Sequence, residues 1–115
     1  MSATHQVTKA YGQAARLRSP RDQDSEVFRR AADRLRKADQ PIDITRALAD
    51  NQTLWRTVVG LVNDADNPLP EALRAKIASV GHTVLRALDH ATPEIEFVIS
   101  VNLAIAEGLS GRGSI

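Results

Sequence analysis

The sequence contains no cysteine. That absence removes disulfide staples, thiolate nucleophiles and zinc–thiolate centres together. Aromatic residues are scarce: Tyr11, Phe28, Trp55 and Phe97 are the only ones. A surface that stacks nucleobases needs aromatic faces side by side, and four scattered rings do not supply one. Long apolar runs are missing too. The stretches Leu54 to Val62 and Phe97 to Ile105 are broken by Arg56, Ser100 and Asn102, whereas a membrane-spanning helix needs about 20 mostly apolar residues. Residues 1–10 hold no continuous apolar run and no small-residue cleavage site, so they do not read as a signal peptide. The expected location is the cytoplasm. Charge of one sign is also lacking. The net charge is +1, with 15 basic and 14 acidic residues, far from the one-sided basic surface of a typical nucleic-acid binder.

What is present is helical periodicity over nearly the whole chain. The 115 residues suit one domain, and a chain of that length buries enough surface to fold without a metal. A first helix is expected over residues 4–18, with a thin apolar face of Val7, Tyr11, Ala14, Ala15 and Leu17, weakened by Gly12. Residues 1–18 are therefore expected to form a mobile arm, or one ordered only against a partner. Ser19, Pro20 and Asp22 make a helix start, and Phe28, Ala31, Ala32 and Leu35 form its stripe through about Ala38. Asp43 is expected to cap the next helix, which runs to about Asp64. Its stripe of Ile44, Ala47, Leu48, Asn51, Trp55, Val58, Val59 and Val62 is the strongest amphipathic pattern in the chain.

A turn cluster follows at residues 63–68. Pro70 opens a helix to about His90 with the stripe Leu73, Ile77, Val80, Gly81, Val84 and Leu88. Thr92 and Pro93 open the last helix, to about Gly108, and residues 110–115 read as a flexible tail. The fold class is all-α: a small bundle of four to five mostly antiparallel helices. The last helix is apolar over most of its circumference, with Glu96, Ser100 and Glu107 marking one polar strip. Such a helix is either central or covered by something else.

No group of reactive residues assembles. His5, His82 and His90 lack the i, i+4 spacing of a helical metal site. No serine stands in a nucleophile-elbow motif. Asp64 and Asp66 fit turn chemistry better than a calcium loop, because no further acidic ligands follow at the required spacing. No metal, no cofactor and no catalytic residue is expected, and the chain is not expected to be an enzyme. The cluster Arg29, Arg30, Arg34, Arg36 and Lys37 is interrupted by Asp33 and reads first as a solvated helix face. Direct RNA binding through Arg29, Arg30, Arg34 and Lys37 is the competing reading. Asn51 and Asn102 interrupt apolar stripes, so each must find hydrogen-bond partners in the bundle or on another chain. Trp55 is expected to anchor the core.

Three segments occur in a recognisable order: Asn51-Gln52-Thr53-Leu54-Trp55, Asn67-Pro68-Leu69-Pro70 with Leu73-Arg74-Ala75, and Asn102-Leu103-Ala104-Ile105-Ala106-Glu107-Gly108-Leu109. With Tyr11 and Ser19-Pro20-Arg21, the chain resembles the FlaF family of flagellar proteins from Tyr11 to Leu109. The resemblance implies a regulator of flagellin synthesis and secretion in flagellated alphaproteobacteria. It implies action alongside the translational regulator FlbT, and chaperone-like contact with flagellin, without enzymatic activity or cofactor. The resemblance carries no binding residues across. The residues that carry the resemblance, Asn51, Leu54, Trp55, Asn67, Pro68, Leu69, Pro70, Arg74 and Asn102, are expected to be structural. Val98, Val101, Ile105 and Leu109 are the expected protein-binding strip, because a helix-in-groove contact needs an exposed apolar face. Flagellin and an FlbT-like protein are the expected partners, with direct binding to flagellin mRNA as the alternative. Self-association through the last helix stays open.

Overall fold

The computed structural model describes residues 20–110, with side chains from Gln23 onward. Four helices follow one another: α1 (Pro20–Lys37), α2 (Pro41–Asn63), α3 (Glu71–Asp89) and α4 (Ile95–Ser110). The described residues contain no strand, in keeping with an all-α bundle. The expected helix over residues 4–18 and the cap Ser19 lie outside the described residues, as do residues 111–115.

Element starts follow proline. α1 is described from Pro20 onward. α2 begins at Pro41 rather than after Asp43. Gln40 is the extended N-cap residue, its side chain makes no capping bond, and the Ile44 amide reaches the Gln40 carbonyl at 3.0 Å. Proline at the first helical position has a suitable fixed φ and no amide to leave unpaired. Asp43 therefore sits inside the first turn, where its charge favours the helix dipole without capping. Pro70 is the N-cap of α3 rather than part of its first turn. α4 starts at Ile95, two residues beyond Pro93, and continues past Gly108 to Ser110.

α1 and α2 run antiparallel: Phe28 meets Trp55, the Ala31 carbonyl meets Asn51, and Arg34 meets Asp50. α2 and α3 also run antiparallel, with Val62 beside Arg74 and Val59 beside Gly81. α1 packs most extensively on α4, and α2 on α3. Short connections favour sequence neighbours, so the pairing of first with last helix is a tertiary result the connections do not foretell. The core cluster draws Phe28, Ala32 and Leu35 from α1, Ala47 and Trp55 from α2, Val84, Ala87 and Leu88 from α3, and Val98, Ile99 and Ala106 from α4.

Small residues let α1 and α4 approach closely. Ser25, Ala32 and Ala106 are wholly enclosed, and the Ser25 hydroxyl donates to the Ala106 carbonyl at 2.8 Å. Gly81 does the same between α2 and α3: a Cβ there would lie 2.4 Å from Val59 Cγ2.

Candidate functional site

The interior polar residues form one connected chain. Asn51 Nδ2 donates to the carbonyls of Ala47 at 2.9 Å and Ala31 at 3.2 Å. Asn51 Oδ1 accepts from Asn102 Nδ2 at 2.7 Å, and Asn102 Oδ1 accepts from Trp55 Nε1 at 2.8 Å. All three side chains are fully buried. Every polar atom of the set is used, so it ties α1, α2 and α4 together and offers nothing to a substrate. Among the described residues, no buried side-chain nitrogen or oxygen lacks a hydrogen-bond partner. No group of histidine and acidic side chains there could hold a metal ion.

The turn between α2 and α3 is equally occupied with itself. Asp64 Oδ1 accepts from the Asp66 amide at 2.9 Å, and Asn67 Oδ1 from the Leu69 amide at 2.9 Å. Asn67 Nδ2 donates to the Leu61 carbonyl at 2.8 Å. Arg74 reaches back with its guanidinium to the carbonyls of Leu69, Val62 and Asp64 at 3.2–3.3 Å. Carbonyls in the last turn of a helix lack intrahelical partners; Asn67 and Arg74 supply them from the next segment. Leu54 is half-buried against the core, while Pro68 and Pro70 are exposed. Leu69 is exposed too.

The basic residues of α1 do not present a uniform face. Arg34 is bonded to Asp50 across to α2, and Arg36 lies 3.6 Å from Asp33. Arg30 and Lys37 are exposed and Arg29 is half-buried. The shallow depressions there are lined by both signs of charge, with Asp33, Asp43 and Asp50 among Arg30, Arg34, Lys37 and Arg46.

α4 is where the expected binding strip lies, and the structure separates its four members. Val98 is wholly enclosed in the core; it faces the bundle interior and forms no surface. Val101, Ile105 and Leu109 are half-buried, resting against the core with part of each side chain open. The open apolar side of α4 continues instead through Phe97, 41% exposed, and Ala104, which is also exposed. Phe97, Val101, Ala104 and Gly108 recur at i, i+4, i+7 and i+11. At 100° per residue they fall opposite Asn102 and Ala106, which face inward. The signal was visible as apolar spacing around the whole helix, which by itself does not say which side faces out.

Further exposed apolar side chains lie along the α2–α3 hairpin. Leu61, Leu69, Leu73 and Val80 are all exposed, although Leu73 and Val80 belong to the α3 stripe expected to face inward. Only the C-terminal half of that stripe faces inward: Gly81, Val84 and Leu88 are buried. Besides α2, the helix that packs on α3 is α4.

The model of the family described as "Flagellar protein FlaF" matches residues 7–109. The chain belongs to the FlaF family. The match spans all four helices, and it also takes in residues 7–19, ahead of α1. The Asn51–Trp55–Asn102 chain and the Asn67–Arg74 turn thus lie within a FlaF-family domain. It is a flagellar protein, and FlaF is not known as an enzyme family. No curated protein and no solved structure is significantly similar to it. Among the described residues, no helix is long and apolar enough to cross a membrane.

Proposed function

We propose that this FlaF-family chain is a non-enzymatic regulator of flagellin synthesis and secretion. It acts in the cytoplasm by holding flagellin, docking an amphipathic helix of that client on the outer side of α4. One observation carries the reading: α4 spends one apolar side on the core and keeps a second, through Phe97, Val101, Ala104 and Ile105, open. An exposed apolar strip at helical spacing fits the helix-in-groove mode, in which anchors recur every three to four residues. Nothing among the described residues supplies a competing catalytic arrangement. Val98 is removed from the strip because it is enclosed, and Leu109 stands at its edge.

The test is titration of purified flagellin, and separately of an FlbT-like protein, into the full chain and its Phe97→Asp and Ala104→Glu variants. Both positions are exposed, so helical content should survive. Flagellin affinity should fall at least about tenfold, the equivalent of about 1.4 kcal/mol. Unchanged flagellin binding by both folded variants would sink the assignment. An affinity confined to the FlbT-like protein would move the client. Filter binding to flagellin leader RNA over a salt series provides the remaining arm: tight binding that weakens steeply with salt would favour the basic face of α1 instead.

A further inference from the structure

Resting on that reading of α4, we propose that the helix docked there is basic along one edge, and that Glu96 and Glu107 steer it into place. At 100° per residue, the outward arc of α4 runs from Glu96 and Glu107 through Ser100 to Ala104, Phe97 and Gly108. All six are exposed, and the buried Ile99, Asn102 and Ala106 lie on the opposite side. They share one helix, so their surface is continuous. It differs across its width: carboxylates border one edge, and apolar or small side chains fill the middle. Glu96 and Glu107 stand only about 20° apart around the axis and about 16 Å apart along it, three turns of helix.

Charge complementarity decides the occupant. Among the described residues, no ion pair reaches Glu96 or Glu107. Glu107 also stands in the last turn of α4, where the helix dipole disfavours a carboxylate. Its charge is therefore not explained by the helix that carries it. A second copy does not supply the counter-charge either. α4 contains no lysine, arginine or histidine, and two α4 helices paired antiparallel through this face would set Glu96 of one against Glu107 of the other. An amphipathic helix with lysine or arginine about three turns apart on one edge satisfies both carboxylates while its apolar stripe covers Phe97 and Ala104. Such complementarity raises the association rate and turns away acidic helices of the same apolar pattern.

The test is stopped-flow mixing of purified flagellin with the full chain at low and high salt. The double variants Glu96→Gln/Glu107→Gln and Glu96→Lys/Glu107→Lys are measured beside it, with Phe97→Asp as the control for the face itself. Neutralising both carboxylates should slow association roughly three- to tenfold at low salt, and reversal should slow it further. The differences should fade at high salt, where exposed charges are screened. Glu107→Gln alone should hold or raise the thermal midpoint, because it relieves the clash with the dipole, and should still slow association. A purely structural glutamate would not separate the two readouts. Equal association rates for all charge forms, with binding abolished by Phe97→Asp, would overturn the basic edge and leave the docking face standing. Binding that survives in Phe97→Asp as well would remove the face, and flagellin that binds no form of the chain would remove both. Faster association after reversal to lysine would make the docked edge acidic. Self-association of the parent chain that Phe97→Asp abolishes would give the face to a second copy.

Discussion

The indole Nε1 of Trp55 donates to Asn102 Oδ1 at 2.8 Å inside a fully enclosed interior. Asn102 in turn donates to Asn51, whose amide orientation is fixed by the two backbone carbonyls it serves. Asn102, on α4, thus bonds two side chains of α2, Trp55 and Asn51. Replacing it with leucine removes both bonds at once and leaves the Trp55 N–H and Asn51 Oδ1 unpaired in a dry environment. Each buried orphan costs about 1–3 kcal/mol, so Asn102→Leu should lower unfolding free energy by roughly 3 kcal/mol, although leucine is the more apolar residue. Urea denaturation checks it; a neutral or stabilising outcome would mean that water reaches the site.

Gly81 occupies the closest approach of α2 and α3. An added Cβ would meet Val59 Cγ2 at 2.4 Å and Trp55 Cε3 at 3.4 Å. Valine in a helix has essentially one χ1 rotamer, so Val59 cannot swing aside. Alanine gains up to about 1 kcal/mol of helix propensity over glycine, while overpacking costs about 1–3 kcal/mol. Gly81→Ala should therefore destabilise by about 1–2 kcal/mol. The double variant Gly81→Ala/Val59→Ala should lose less than the sum of the two single changes, because Val59→Ala opens the space that the Cβ of Gly81→Ala fills. Additive losses in the four-member cycle would show that the helices simply move apart.

How much of this was legible in the sequence depends on how local each cause is. The α2 stripe was readable because one long helix is flanked on its inner face by both neighbours: Ala47, Asn51, Trp55, Val59 and Val62 are all buried. The need of Asn51 and Asn102 for partners was also readable, since an amide on an apolar stripe has few solutions. Ser25 was not, because it stands between Asp24 and Glu26 and its burial is decided by Ala106 on a distant helix. The exposure of Leu73 and Val80 was hidden for the same reason: the period of α3 is local, but where α4 stops covering it is not. Val98 was placed on the wrong side of α4 because a helix apolar all round carries no directional signal.

Arg34 and Asp50 bridge α1 and α2, but both side chains are about half or more exposed, at 63% and 47%. Water and salt screen such a pair, and holding two long side chains costs entropy. Arg34→Ala should change stability by less than about 0.5 kcal/mol, and the difference should shrink further at high salt. Thermal melts at low and high ionic strength test this. A loss well above that figure would mean that the pair acts as a clamp at the α1–α2 connection.

Arg74 does for the α2–α3 turn what its charge alone could not. Its guanidinium spreads over the carbonyls of Val62, Asp64 and Leu69, a fork that a single ammonium cannot reproduce. Arg74→Lys should therefore behave almost like Arg74→Ala, each costing about 1–2 kcal/mol by loss of charge-assisted hydrogen bonds. The effect should be local. Hydrogen exchange should quicken at the amides of Asp64, Asn67 and Leu69, which belong to the turn, while amides of α2 around Trp55 keep their protection. Full rescue by lysine would show that charge near the end of α2 is enough, with no role for the three-carbonyl geometry.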